Sequence, residues 1–451
     1  MSEPHGASAN LDPRQLNSAR DTVAFVLEEA RRQGASSAEA HLSLAQGLSV
    51  NVRLGEVETV EFHRDRGVAV SVYMGNRKGA STTSDDSPQS LRDAVAAACA
   101  IARHTEEDPF GGIAEAGLLA TDLPDLDLYH PWEISTEQAI AEALRSESVA
   151  RDDPRIVNSE GASVTTGTSL RVLGTSNGFL QGYAGSFHSR GCAVLAEDDA
   201  GMQRDYWYDG SRDPSRIASP ESVGERARLR TLARLGAEVP ETGELPVMFA
   251  PEVAAGLLGH FVSAISGGSL YRRASFLRDR LGERLFPAGI NLREQAHLPG
   301  GNGSAPYDSD GLPTFDQAFV EDGVLRRYVL GLYAARRLEM APTGNGGGVH
   351  NLIISDTGED QAALLKRMGN GILITEVMGQ GVNLVTGDYS RGAAGFRVEN
   401  GVLGKPLQEF TIAGNLAAMF AGLQGSGTDV DARGNIRCGS LLLAPMKIAG
   451  R

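Results

Sequence analysis

The sequence predicts an α+β chain: antiparallel sheet layers flanked by helices, followed by a sheet-rich second half built round one central helix. Three observations predict it. Val50, Val52 and Leu54, then Val68, Val70 and Val72, alternate with polar residues, the period-two pattern of an antiparallel sheet with one wet face. Helical periodicity brackets those strands, with Leu16, Val23, Leu27 and Ala30 on one side of one segment and an alanine-rich run over 87–103 in another. Finally, 55 glycines against 19 prolines favour many turns and short strands over long helices. At 451 residues the chain exceeds one ordinary core, so two or three domains are expected.

The elements follow in order. Residues 1–10 read as a polar, disordered lead. A helix runs from Asp12-Pro13 to Gly34, where glycine stops it. Short strands are expected at 41–45, 48–54, 58–63, 67–74 and 78–83, with turns at Gly55-Glu56, Asp65-Arg66-Gly67 and Gly75-Asn76. The helix over 87–103 closes this helix–meander–helix unit, residues 1–104. A loop-rich connector over 105–132 opens a second unit, 105–236. It carries a helix near 135–151, strands at 155–166, 169–175, 178–188, 190–198 and 203–209, and a helix at 220–235. The same order of elements occurs twice, a weak sign of duplication. Residues 237–451 form the third piece, starting with a strand over 245–249 and ending with strands at 436–443 and 446–448.

The organising stretch of that third piece is VAAGLLGHFVSAISGGSLYRRASFL, Val253 to Leu277. Val253, Leu257, Leu258, Phe261, Val262 and Ile265 make one apolar face of a helix. Gly267-Gly268 breaks it, as two residues free to adopt positive φ, and Tyr271, Arg272 and Arg273 then offer a ring and two guanidiniums suited to a carboxylate or peptide backbone. Helical zinc peptidases need two histidines on one helix with a glutamate beside the first. Here Gly259-His260-Phe261-Val262-Ser263-Ala264 supplies one imidazole and no carboxylate. A helical histidine bonded to a carbonyl or to solvent is the plainer reading of His260.

A second glycine-rich string, TGDYSRGAAGFRVENG from Thr386 to Gly401, permits tight turns. It presents Asp388, Tyr389, Ser390 and Arg391, a set able to hold an extended peptide or a carboxylate; a sheet corner reads equally well. Residues 299–314 are long enough for a lid or a peptide-contacting loop. Tyr206-Trp207-Tyr208 lines a cleft, an interface or the core. Gly174-Thr175-Ser176-Asn177-Gly178 matches the serine-hydrolase elbow but lies between strands, which makes it a hairpin turn. Asp429-Val430-Asp431 lacks the glutamate a calcium loop needs, having Ser440 there. His188 and Cys192 lie in strand pattern, not on a helix.

These strings carry a family resemblance. LLGHFVSAISGGSLYRRASFL, TGDYSRGAAGFRVENG, TIAGNL at Thr411–Leu416, HNLII at His350–Ile354 and NIRCGS…MKIAG from Asn435 to Gly450 resemble the TldD/PmbA family (peptidase U62 type) over essentially the whole chain. The TldD branch carries HExxxH on the central helix. Lined up on the shared Leu-Leu, this chain places Gly259, His260 and Ala264 at the first histidine, the glutamate and the second histidine, so it resembles the PmbA/TldE branch that lacks the motif. Cys438 stands where the TldD branch has its cysteine metal ligand, as an ancestral leftover, a buried small hydrophobe, or one member of a rebuilt site with His260 and His350.

The resemblance implies a metallopeptidase subunit without metal of its own, its zinc carried by a TldD-type partner, its substrates small unfolded peptides. Two alternatives are a non-enzymatic peptide-binding or regulatory homodimer and a hydrolase with a relocated metal site. The name "modulator of DNA gyrase" attaches to the family, but a net charge of −15 argues against a nucleic-acid or anionic-membrane surface. Three scattered cysteines, Cys99, Cys192 and Cys438, do not make a disulfide framework. With no basic, apolar leader and no run of about 18 apolar residues, the expectation is a soluble cytoplasmic protein; the resemblance adds the expectation of a homodimer when the chain is alone.

Overall fold

The computed structural model describes residues 10–451, so the expected disorder of the lead lies, Asn10 apart, outside the described residues. The α+β class holds. Helix α1 (Gln15–Arg32) precedes β1 (Ser37–Arg53), β2 (Glu56–Met74) and β3 (Arg77–Thr83), and α2 (Pro88–His104) follows. The second unit repeats the order with α3 (Thr136–Ala150), β4 (Ile156–Thr175), β5 (Leu180–Asp198), β6 (Gly201–Ser211) and α4 (Pro220–Ala233). Helices α2 and α4 start alike: Ser87 and Ser219 cap the third residue's N–H and a proline takes the first turn, where its missing N–H costs nothing. Helix α3 opens with a full Ser135/Gln138 capping box.

The strands correct the expected short pieces. Asp65-Arg66-Gly67 is not a turn, since Arg66 pairs with Leu44 and Gly67 with Ser43 inside one continuous hairpin. The segments joined at Gly167-Thr168 and at Ser189 likewise fuse into β4 and β5, in register over almost their full lengths. Polar residues there mark solvent-facing positions of long strands, not chain reversals. The expected turn at Asn177-Gly178 is present, with Gly178 at φ +103°.

The six strands form one antiparallel sheet in the order β3-β2-β1-β4-β5-β6, symmetric about the β1–β4 pair. Even-numbered positions of β1 and β4, such as Leu42, Val50, Val164 and Val172, are buried beneath the four helices. Odd-numbered positions face the other way, toward the second half. Before Val68 strand β2 has no outer neighbour among the described residues, because β3 pairs only with 68–74. Val57, Val60 and Phe62 stand exposed along that free edge, Phe62 at 61%.

The second half begins with β7 (Gly243–Phe249), α5 (Pro251–Ile265) and the short α6 (Gly267–Tyr271). A five-stranded sheet orders β10 (Val324–Leu325), β9 (Gln317–Glu321), β8 (Leu292–Gln295), β11 (Asn351–Ile354) and β17 (Ile436–Arg437). Helices α7 (Leu332–Arg337) and α8 (Gln361–Met368) flank β11 in the chain. The remaining strands are β12 (Gly371–Met378), β13 (Val382–Asn383), β14 (Asp388–Glu399), β15 (Val402–Asn415), β16 (Leu423–Ser426) and β18 (Leu441–Ala449), with α9 (Leu416–Ala421) between β15 and β16. Their hydrogen bonding closes on itself, β12 to β7 to β18 to β15 to β14 and back to β12. The expected strand over 436–443 is split: 436–437 joins one sheet and 441–449 the other, and Cys438 sits in the crossover.

The joint between the halves takes up the centre of the aromatic strip. Trp207 lies under three guanidiniums, those of Arg433, Arg226 and Arg230, at 4.0, 4.5 and 5.2 Å from its ring centre. Arg230 on α4 and Arg234 just past its end reach Asp205 on β6 and Glu252 and Glu376 of the second half. Trp207 therefore belongs to an interface within one chain, while its neighbours Tyr206 and Tyr208 stay exposed.

Candidate functional site

Helix α5 starts at Pro251 after the extended Ala250 and buries Leu257, Leu258, Phe261, Ala264 and Ile265. Phe261 meets Phe286 and Phe420 edge to face at 5.3 and 5.6 Å. The helix ends differently from the sequence reading. Ser266 makes the turn in extended conformation (φ −75°, ψ 140°), and neither Gly267 nor Gly268 has positive φ among the described residues. Gly267 serves close approach instead: a Cβ there would lie 2.3 Å from the Ala334 Cβ.

The metal-motif positions fall round this helix. Gly259 faces Ile436 of β17, and Ala264 is fully buried. His260 is half-buried, its ring 6.0 Å from that of Tyr389. Desolvation, then the nearby Arg391 charge, pull its pKa below the ordinary imidazole value, so the ring is neutral at pH 7. Cys438 is fully buried with Sγ 3.8 Å from the Pro251 carbonyl, and burial pushes its thiol up to about 12. His350 turns both ring nitrogens to carbonyls, of Gly303 and Gly344, each at 3.1 Å. Among the described residues no three His, Cys, Asp or Glu side chains are placed to hold a metal ion. Gly259 and Ala264 offer no ligand, and His260, His350 and Cys438 are not brought together: these residues do not fit zinc.

The two expected substrate-binding sets lie on different walls. Asp388 and Tyr389 line an open groove of about 610 Å³ with Asn415, Met419, Met446 and Lys447. Asp388 accepts from Thr386 Oγ1 at 2.7 Å. Tyr389 is buried, its phenol pushed up to about 12 by desolvation. Ser390 is exposed, and Arg391 Nε donates to the Met378 carbonyl at 3.0 Å. Tyr271, by contrast, packs edge-on against Tyr333 and under Arg337, which also covers Phe110 of the connector. Arg272 and Arg273 are exposed beside it, Arg273 at φ +60°. A backbone bond from Phe276 to the Leu384 carbonyl ties the two segments.

The loop 299–314 is pinned down, not poised as a lid. Arg212 of the first half donates to the Gly301 and Asn302 carbonyls, and Tyr307 to the Gln181 carbonyl. Asp308 accepts three backbone N–H groups, from Asp310, Leu312 and Gly346. Between this loop and the bare face of the six-stranded sheet lies a cavity of about 410 Å³. Composition of the loop gave no sign of it, because its other wall comes from β1, β4 and β5, far upstream in the chain.

Asp308 yields a pH prediction. Desolvation, then Asp310, raise its pKa to about 6 from 3.8. A raised carboxyl pKa favours the folded state below the unfolded value, and that advantage is lost as pH rises through about 6. Over pH 4 to 6 the folding stability of Asp308→Asn should therefore fall less steeply than that of the natural chain, by up to about 3 kcal/mol. Urea unfolding at pH 4, 5, 6 and 7 reads the difference, and parallel profiles would exclude it.

With the geometry in place, three family models match in series. They are PmbA/TldA metallopeptidase domain 1 over residues 39–102, the central domain over 129–235 and the C-terminal domain over 242–450. The chain is 46% identical over 432 residues to "Metalloprotease PmbA" of Escherichia coli O157:H7, covering 96% of each. It is 44% identical to the Haemophilus influenzae "Metalloprotease PmbA homolog", covering 99% of this chain and 100% of that one. Among solved structures, TldE from Thermococcus kodakarensis superposes with a TM-score of 0.84 at 19% identity over 95% of this chain and 100% of that one. A Bacteroides thetaiotaomicron protein bearing the modulator-of-DNA-gyrase name reaches 0.91 at 24% identity, over 96% and 99%. No described helix is long and apolar enough to cross a membrane. A fold shared with TldE along nearly its whole length and close sequence identity to PmbA proteins agree: the chain belongs to the PmbA/TldD metallopeptidase family.

Proposed function

We propose that this chain is the metal-free, TldE-type subunit of a cytoplasmic heteromeric metallopeptidase acting on small unfolded peptides. A TldD-type partner brings zinc and the general base, and this chain completes the substrate cleft. The observation that carries the reading is an intact, well-packed α5 whose metal-motif positions are Gly259, His260 and Ala264. The scaffold is kept while the ligands are missing. The groove at Asp388 and Tyr389 supplies a wall for an extended peptide, and the free β2 edge with exposed Val57, Val60 and Phe62 supplies a surface for a partner. Three free, buried cysteines suit a reducing compartment.

The test is to mix the purified chain with a TldD-type chain. Co-elution, peptidase activity in the mixture alone, and zinc unaffected by Cys438→Ala in this chain are the expected results. Activity or bound zinc in the isolated chain, lost in Cys438→Ala, would overturn the reading in favour of a relocated site. Peptide binding by a stable homodimer with no affinity for the TldD-type chain would favour a regulatory role.

A further inference from the structure

The cavity between the halves has one committed wall and one free wall. On the loop side the buried polar groups are already bonded, Asp308 by three N–H groups, Ser304 by the Leu298 carbonyl and His350 by two carbonyls, with the exposed Ser309 hydroxyl the exception. On the sheet side one row is not. Ser43 of β1, Arg171 of β4 and Tyr183 of β5 stand directly opposite one another across three neighbouring strands, and Ser169 lies two residues along β4 on the same face. All four line the cavity. None of their side chains has a hydrogen-bond or ion-pair partner among the described residues.

Charge makes the row unusual. In a chain of net charge −15, Arg171 has no carboxylate partner among the described residues. The second guanidinium lining the cavity, Arg212, is spent on the carbonyls of Ser186, Gly301 and Asn302. The carboxylate lining the cavity is that of Asp308, and backbone donors occupy both its oxygens. A free guanidinium flanked by three hydroxyls presents donors, with positive charge, to whatever enters. That is the complement of a small oxyanion, which arginine grips through two parallel bonds.

We infer that the row Ser43–Arg171–Tyr183, with Ser169, is a carboxylate-binding site in the cavity between the two halves, separate from the α5 and β14 walls. The carboxylate arrives either as the C-terminus of a short peptide or as a free small anion. Nothing in this rests on the partner-subunit reading, since the isolated chain carries the whole site.

Calorimetric titration of the full-length chain tests it with three probes: acetyl-trialanine as the free acid, the same peptide as its C-terminal amide, and inorganic phosphate. The free acid should bind saturably, and the amide about 10- to 100-fold more weakly, the worth of a charged hydrogen-bonded pair. Arg171→Ala should lose binding by a similar factor, and Tyr183→Phe by less. Arg204→Ala, an exposed arginine on β6 paired with Glu160, should bind as the natural chain does. Phosphate binding that depends on Arg171, without binding of the free acid, would overturn the assignment to carboxylates. Acid and amide binding alike, Arg171→Ala binding undiminished, or no probe binding the natural chain would each overturn the inference. Arg171 is exposed, so its replacement leaves the fold intact, which a thermal melt verifies.

Discussion

Asp205→Ala is expected to cost about 2 kcal/mol by loosening β6 from the end of α4 within the first half. Asp205 is 6% exposed and lies between Arg230 and Arg234, 3.5 and 3.9 Å from their nearest nitrogens. Its other oxygen takes the Tyr206 N–H at 2.7 Å. Desolvation works to lower the pKa of Arg230, but Asp205 and then Glu252 outweigh it and hold the pKa above the usual arginine value. Removing the carboxylate leaves two largely buried guanidiniums sharing Glu252 and Glu376, at the seam where Trp207 is clamped by three arginines. The cost is moderated because the two charges left behind still pair with Glu252 and Glu376. Those cross-seam pairs stay in place, so the urea curve should keep one transition at a lower midpoint. A loss below about 1 kcal/mol would mean that the Asp205 contacts contribute no more than exposed surface pairs do.

Local pattern made most of the fold legible. Apolar alternation gave the strand positions in the first half, and helical periodicity and alanine content gave its first two helices. What it missed were lengths: Asp65-Arg66-Gly67 and Ser189 look like turns because turn residues and solvent-facing strand residues share a polar composition. The same limit misread Gly267, where a neighbouring helix, not a dihedral angle, demands glycine. Around α5 the motif positions were readable, since Gly259, His260 and Ala264 need only be compared with what zinc requires. The cavity was not. Ser43, Arg171 and Tyr183 are 128 and 12 residues apart in the chain, and only the β1–β4–β5 register sets them in one row. Tyr206-Trp207-Tyr208 could be read as cleft or core for a similar reason: the guanidiniums that decide the matter come from α4 and from Arg433, distant in sequence.

Phe261→Ala should cost about 4 kcal/mol, as large-to-small changes of a buried aromatic do. Its side chain is fully buried and forms a triad with Phe286 and Phe420, which themselves sit 5.1 Å apart. Phe286 comes from the loop before β8 and Phe420 from α9, so the triad fixes α5 against two distant segments at once, and the cavity left behind cannot close without moving both. The next residue tells the opposite story. His260 projects to the half-open side, and its contacts are one ring edge and a neighbouring charge, so His260→Ala should cost less than about 1 kcal/mol. Adjacent positions thus separate what α5 does for the fold from what it presents on its half-open side. If the partner-subunit reading is right, His260→Ala should change peptidase activity of the mixed assembly with stability kept, while Phe261→Ala lowers both. Urea unfolding of the two variants, run beside activity in the mixture, distinguishes these cases. Equal losses of stability in both would mean that α5 is held from its cleft side as much as from its core side, and the assignment of the two faces would have to be reversed.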